Sequence, residues 1–444
     1  MSKLQIKMKI LKFGGTSVGS AERMKKVAGL VLGRGRGNVV VLSAMSGTTN
    51  SLFQIVDYYS KADSKGAKGI IESLQEQYAK HVDELYSDCK TKRKVTSLLK
   101  TVWEKLLGFS KVPYTAQVGR DIVACGEIMS SNMLTNYLVE QGKKAVLLSA
   151  LDFMKTDSDN EPDMVYIKGK FLPLLEANKD ADVIFTQGFI CRDSQGNVSN
   201  LRRGGSDYTA CILGAAATAE IIEIWTDIDG VHTGDPRFVK GTHHIHQLNF
   251  EEAAELSYFG AKILHPMCVL PAKFASVPIR LLSTMQPEAE GTIINNNLEY
   301  GGLKAVAAKD GIAVIKIVSG RMLFARGFMR KIFEIFEKYS TSVDMITTSE
   351  IGVSVSIDDQ TYLNEIVDEL NKFGNIEIDT NMCIVCVVGD VRASKTDVAS
   401  KIVDALSDIP IRMISYGGSD HSISFAISAE DKKRALRVLN SKLF

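Results

Sequence analysis

Short apolar runs alternate with longer amphipathic stretches along the first part of the chain. Ile10, Leu11 and Phe13 form a brief run, and Met24, Val27, Ala28 and Val31 then recur at helical spacing. This pattern reads as strand, loop and helix. Residues 39–42 repeat the strand signal, and the charge-rich stretch 52–107, with only scattered glycines, reads as a helical insert without evident chemistry. Further short runs at 145–148, 183–185 and 221–225 predict strands, and YTACILGAAATA from Tyr208 is a run of good helix formers. Strands alternating with helices predict an α/β fold, a mostly parallel sheet sandwiched by helices, with ligands at the carboxyl ends of the strands.

The pattern changes after the turn-rich segment 291–302. The run from Ile312, IAVIKIV, matches MCIVCVV from Met382, and VDMITTSEIGVSVSI from Val343 matches IRMISYGGSDHSISF from Ile411. Amphipathic helices lie between the matched strands, marked by Ile332, Phe333, Ile335, Phe336 and Tyr339 in one copy and Val398, Ile402, Val403 and Leu406 in the other. Each copy reads βαββαβ with a period of about 70 residues, too long and too few for a solenoid. Two ferredoxin-like α+β units are expected, their sheets side by side with sites at the seam.

The candidate chemistry sits in the loops that follow strands. KFGGTSVGS, residues 12–20, places a lysine at a strand end, and Gly14 and Gly15 let the backbone approach an anion. It is not a Walker loop, because the lysine precedes the glycines. Alone, it reads equally as a glycine turn with a snorkelling lysine. SAMSGTTN, residues 43–50, suggests a second ligand loop on the same sheet edge. Glu127 follows a glycine at the start of a helix-like stretch, where an acidic residue is also an ordinary helix charge. TQGF, residues 186–189, is another small loop after a strand. NLRRGGSDYT, residues 200–209, sets Arg203, two glycines, Ser206 and Asp207 at a helix start, which suits an anion and also suits a plain capped helix. The D-x-D-G fragment at Asp227 fails the EF-hand spacing.

Composition narrows the functional classes. The 444 residues allow two or three domains, and 53 basic against 52 acidic residues leave a net charge of +1, which argues for neither a nucleic-acid nor an anionic-membrane partner. The basic run 90–94 reads as a solvated helix face. No apolar run reaches the ~20 residues that span a bilayer, and no signal-peptide core precedes the first strand, so a cytoplasmic protein is expected. Seven scattered cysteines make no disulfide framework, and Cys383 and Cys386 read as core residues on opposite strand faces. His243, His244 and His246 lack accompanying ligands, so no metal site is assigned.

KFGGTSVGS, SAMSGTTN, Gly126-Glu127, RGGSDYTA, WTDIDGVHTGDPR and FGAKILHP occur in the order found in aspartate kinase, and the chain resembles that family over essentially its whole length. The resemblance implies an amino-acid kinase fold with tandem C-terminal ACT domains: a catalytic domain at 1–298, a first ACT domain at 313–381, and a second built from 299–312 and 382–444. It implies ATP and Mg²⁺ as cofactors, L-aspartate as substrate, and Lys12 and Asp207 as catalytic residues. Ser43, Thr48, Glu127, Phe189, Arg203 and Ser206 are the implied substrate residues. Lys12, Gly14, Gly15, Thr226, Asp227, His232, Arg237 and Lys262 are the implied nucleotide residues. In the ACT pair, Met322, Ala325, Gly327, Phe328, Asp344, Thr348, Ser349 and Glu350 look like effector residues, and Asp344 and Glu350 point to lysine over threonine. A homodimer or larger homo-oligomer through the ACT units is implied. The chain departs from the family pattern at Arg202, usually glycine, at His232, often tyrosine, and at Ala325, a family serine.

Overall fold

The computed structural model describes residues 8–201, 204–261, 264–297, 302–320, 326–392 and 396–444. The chain divides into two compact units, Met1–Val231 with Met267–Asn296, and His232–Pro266 with Asn297–Phe444. Residues 232–266 belong to the second of these units. No described helix is long and apolar enough to cross a membrane.

The first unit is built outward from β1 (Lys9–Phe13). It continues through α1 (Ala21–Gly33), β2 (Asn38–Leu42), α2 (Thr48–Ser60), α3 (Ser64–Leu85), α4 (Cys89–Gly108), α5 (Ala116–Val123) and α6 (Cys125–Glu140). Then come β3 (Ala145–Leu148), α7 (Met164–Ala177), β4 (Val183–Gln187), the pair β5 (Ile190–Arg192) and β6 (Val198–Asn200), α8 (Gly205–Ala217) and β7 (Ile221–Thr226). Within this unit the main sheet runs Thr292–Asn295, Ile279–Ser283, β7, β1, β2, β4, β3. All these pairings are parallel except that of Thr292–Asn295 with its neighbour. The chain leaves β1 toward β2 on one side and returns to β7 on the other, so the crevice beyond β1 and β7 is a topological switch point.

Strand alternation decides what each β1 residue meets. Leu11 and Phe13 join the large apolar cluster that also takes in Leu52, Ile71, Tyr78 and Trp103 from the helical insert. The insert is therefore a three-helix cap on one sheet face. Ile10 and Lys12 point to the other face, where α8 packs so closely that a side chain at Gly214 would meet Ile222 at 2.4 Å. At the end of β7, Trp225 stacks on Phe13 at 5.6 Å, donates to Glu223 Oε2 at 3.1 Å, and lies under the Arg34 guanidinium at 5.0 Å. Arg34 also pairs with the buried Glu223 at 3.2 Å.

In the second unit the two repeat copies share one antiparallel six-stranded sheet, ordered Ile346–Thr348, Gly352–Ile357, Leu303–Val318, Asn375–Gly389, Ser422–Ser428, Ile411–Ser415. The two long central strands run through both copies, with register shifts around Ile312 where one copy passes into the other. Helices Phe328–Lys338 and Leu363–Leu370 cover the first copy's cluster around Ile315, Val353 and Val355. Helices Thr396–Ala405 and Lys432–Leu443 cover the second, around Val385, Ile423 and Phe425. Cys383 and Cys386 are both fully buried, as their place in an apolar strand implied.

Trp225→Ala should destabilise the chain by roughly 3–5 kcal/mol, because it opens a cavity and strips a partner from buried Glu223. Trp225→Phe keeps a ring against Phe13 but also loses the indole N–H to Glu223, and should cost about 1–3 kcal/mol, less than the alanine variant. Urea denaturation of the two variants measures the difference.

Candidate active site

Lys12 is the charged residue of β1's α8-facing side, and it needs a partner there. Its Nζ lies 2.7 Å from Oδ1 of Asp207, the third residue of α8. That helix starts after Gly204, whose φ of 73° suits glycine, and no side chain caps it. Helix α2 starts in the same way after Gly47, with φ 84° and no side-chain cap. An uncapped first turn leaves backbone N–H groups free and carries the positive end of the helix dipole. Both helix starts, with Lys12, Ser43, Glu127 and Phe189, line one cleft of about 390 Å³.

Backbone contacts hold the cleft loops. Ser43 N–H donates to Phe13 O at 3.2 Å, and Ser46 N–H donates to Gly15 O at 3.1 Å. The Ser130 hydroxyl donates to Ser43 O at 2.7 Å. Phe189 sits at φ 68°, unusual for an aromatic residue, and donates its N–H to Thr209 Oγ1 at 3.0 Å. Beside it, a Cβ at Gly188 would meet Ser206 Cβ at 2.5 Å, so only glycine lets the two walls approach.

Glu127, near the start of α6, is 4% exposed. Its Oε1 accepts the Ala44 N–H at 3.2 Å, while Oε2 is buried with no hydrogen-bond partner among the described residues. Burial pushes its carboxyl up to about 7, against the smaller opposing pull of the Ala44 N–H. A cationic group entering the cleft would supply the missing partner.

Of the residues expected at the site, Lys12, Gly15, Ser43, Glu127, Phe189, Ser206 and Asp207 come together around the cleft. Gly14 backs the lysine, its Cβ position 3.4 Å from Nζ. Thr48 does not line the cleft. It is fully buried, with Oγ1 2.9 Å from the Tyr78 hydroxyl, and Thr49 faces the cleft instead. Successive helical residues differ by ~100°, so two adjacent threonines cannot share one aim. Thr226 ends β7 beside β1 and donates its hydroxyl to Asp227 Oδ1 at 3.0 Å. His232 and Arg237 belong to the second unit. Arg237 is bound to Asp235 in its own turn, Nη2 to Oδ2 at 2.6 Å. Arg202, Arg203, Lys262, Met322 and Ala325 lie outside the described residues.

Among the expected effector residues, Gly327 (φ 80°) starts the helix Phe328–Lys338 without a side-chain cap, and Phe328 is buried. Thr348, Ser349 and Glu350 are exposed. Asp344 differs from them, because its side chain is fully buried and already engaged. Lys309 Nζ lies 2.9 Å from Asp344 and 2.8 Å from Asp358, and the Tyr258 hydroxyl donates to the same Asp344 oxygen.

The family model for the amino acid kinase family matches residues 7–283, and an ACT domain model matches 385–443. The chain belongs to the amino acid kinase family. Within it, the chain is 30% identical over 447 residues to lysine-sensitive aspartokinase 3 of Escherichia coli (strain K12), covering 98% of this chain and 99% of that protein. It is 32% identical over 463 residues to the chloroplastic aspartokinase 2 of Arabidopsis thaliana, covering 98% and 84%. The crystal structure of E. coli aspartokinase III with aspartate and ADP (R-state) superposes with a TM-score of 0.84 at 30% identity, covering 98% of this chain and all of that one. The same enzyme with lysine and aspartate (T-state) gives 0.80, covering 98% and 99%. This amino acid kinase is thus aligned with aspartokinases over nearly its whole length.

In this kinase Glu127 carries a testable pH signature. Its folded carboxyl binds a proton up to about pH 7, whereas an unfolded glutamate releases it near the ordinary 4.5. Its contribution to stability is therefore complete below the unfolded value and is lost as pH rises toward about 7. Relative to the wild type, Glu127→Gln should gain on the order of 3 kcal/mol between pH 5 and pH 7.5, measured by urea denaturation without ligands.

Proposed function

We propose that the chain transfers the γ-phosphoryl group of ATP to the side-chain carboxylate of L-aspartate, giving 4-phospho-L-aspartate for lysine, threonine and methionine biosynthesis. One observation carries this reading: the Lys12–Asp207 pair, 2.7 Å apart at an uncapped helix start, shares a cleft with buried, half-satisfied Glu127. The aspartate and ADP held by the related E. coli enzyme support the substrate pair.

The chemistry asks little of the protein beyond charge and placement. A side-chain carboxylate with a pKa near ~4 is ionised at neutral pH and attacks the γ-phosphorus without a general base. A carboxylate O–P bond forms as the bond from phosphorus to the bridging oxygen breaks, and the electron pair leaves on ADP. Lys12 neutralises the transferring group, while the open N–H groups of α8 and the turn at Gly15 donate to phosphate oxygens, the Gly14 N–H being held by Trp225 O. Asp207 orients Lys12 and takes no proton. Arg203 grips the substrate α-carboxylate in a two-pronged bond, and Glu127, once ionised, holds the ammonium. Ser43 and Ser206 complete the amino-acid side. Thr226 and Asp227, at the end of β7, serve the nucleotide. Mg²⁺ arrives with the triphosphate, whose oxygens are its natural ligands. The described residues contain no group of three or more His, Cys, Asp or Glu side chains placed to hold a metal ion.

The catalytic module is 1–298, and the regulatory copies are 313–381 and 299–312 with 382–444. These copies pair between chains in a homodimer or larger assembly and bind an amino-acid effector, lysine foremost. The lysine held by the T-state E. coli relative supports that choice. Exposed Glu350 is one carboxylate open to an effector ammonium, and Asp344, engaged by Lys309 through Oδ1, keeps a buried Oδ2 without a hydrogen-bond partner among the described residues. The uncapped helix after Gly327 is open to its carboxylate.

With ATP, Mg²⁺ and aspartate the protein should form an acyl phosphate that hydroxylamine traps, and glutamate should give far less. Lys12→Ala should lower kcat by about a hundredfold or more, and near-normal turnover in that variant would remove the lysine from the chemistry. Glu350→Ala should raise the lysine concentration for half-inhibition by about tenfold without changing kcat, as a titration with lysine and, separately, threonine would show.

A further inference from the structure

The insert α2–α4 contributes one residue, Thr49, to the cleft lining, yet its interior holds a polar contact placed just behind the site. Thr48 opens α2 and Tyr78 lies in the middle of α3; both are fully buried, and their hydroxyl oxygens are 2.9 Å apart. Trp103 of α4 meets the Tyr78 ring edge-on, with centroids 5.5 Å apart, and so fixes where the tyrosine hydroxyl stands.

The loop before α2 is tied down by its own backbone, through Ser43, Ser46 and Ala44 N–H groups to Phe13, Gly15 and Glu127. The body of α2 is seated by buried Leu52, Ile55 and Tyr59, whose hydroxyl donates to Leu106 O at 2.9 Å, and Thr48 makes the buried side-chain hydrogen bond of its first turn. An N-cap side chain would ordinarily anchor the first turn, and Gly47 has none. Thr49 stands ~100° around the helix from Thr48, so a displacement of the first turn moves it relative to the cleft.

We propose that Tyr78 is a positioning residue for the amino-acid substrate. Through its bond to Thr48 it holds the first turn of α2 in place, and so sets Thr49 and the open N–H groups of that turn against the bound amino acid. The ring of Tyr78 belongs to the apolar core, and only its hydroxyl performs this task. The inference rests on the cleft being an aspartate site.

Tyr78→Phe keeps the ring and deletes the hydroxyl. It should raise the aspartate KM by about five- to tenfold, the effect of one lost hydrogen bond, with kcat and the ATP KM changed by less than about twofold. Thr48→Val should show the same split, Thr48→Ser should restore the wild-type KM, and Tyr78→Phe with Thr48→Val should be no worse than either alone. A wild-type aspartate KM in folded Tyr78→Phe would overturn the proposal, as would additive effects in the double variant. So would parallel losses in kcat and in both KM values that track the melting temperature. If Tyr78→Phe fails to fold, the Thr48 pair decides: a raised KM in Thr48→Val with a normal one in Thr48→Ser supports the role, and any other pattern overturns it. Absence of aspartate turnover in the wild-type protein would overturn the substrate reading and this inference together. Wild-type turnover with unaltered variants would overturn this inference alone.

Discussion

A lysine on a central parallel strand is an awkward residue to bury, and the ion pair it makes organises the first unit's site. Lys12 is nearly enclosed, and its partner Asp207 comes from a helix almost two hundred residues later in the chain. An unpaired ammonium there would be expensive, whereas a paired one is stable and remains available to phosphate oxygens at the open end of the cleft. The pair thus has a double demand on it. It must tolerate burial in the resting protein and still present a net positive field, and the uncapped start of α8 supplies the excess positive charge.

Close backbone approach satisfies the same demand from the other side. Glycine at 188 and at 15 allows loops to meet where any side chain would collide with Ser206 or with Ala44 O. The cleft is consequently walled by N–H groups, small hydroxyls and one aromatic ring in a strained backbone, with Glu127 as the buried carboxylate opposite in character to Lys12. Such a surface favours a ligand that carries both signs of charge. It has few rotatable groups to reorder on binding, which is how preorganised electrostatics work.

The C-terminal unit follows a different logic, in which duplication and fusion of two ferredoxin-like copies produce one sheet. Two long strands belong to both copies, and their shared ladder shifts register around Ile312, where one copy passes into the other. The Lys309, Asp344, Asp358 and Tyr258 cluster ties the helix Phe250–Tyr258 to this sheet through buried and partly buried charges. Groups in that arrangement are hard to change singly, because removing either sign leaves the other buried without its counter-charge.

Local sequence determined the periods. Alternation in β1 and β7, the 3.6-residue spacing of α1 and of the ACT helices, and glycine at loop positions were all readable, and with them the candidacy of Lys12, Glu127, Ser206 and Asp207. The repeat after residue 302 was legible for the same reason: two copies of one pattern need no knowledge of packing. What the chain alone left open was phase and partnership. Thr48 and Thr49 are indistinguishable until the axis of α2 is placed by its buried side, where Thr48 meets Tyr78, 30 residues away. Asp344 reads as an exposed carboxylate until Lys309, 35 residues off, and Tyr258, 86 residues off, bury it and engage one of its two oxygens. A period is written by neighbours in sequence, whereas the direction a side chain finally faces is set by whichever distant surface packs against it, and only the folded chain contains that surface.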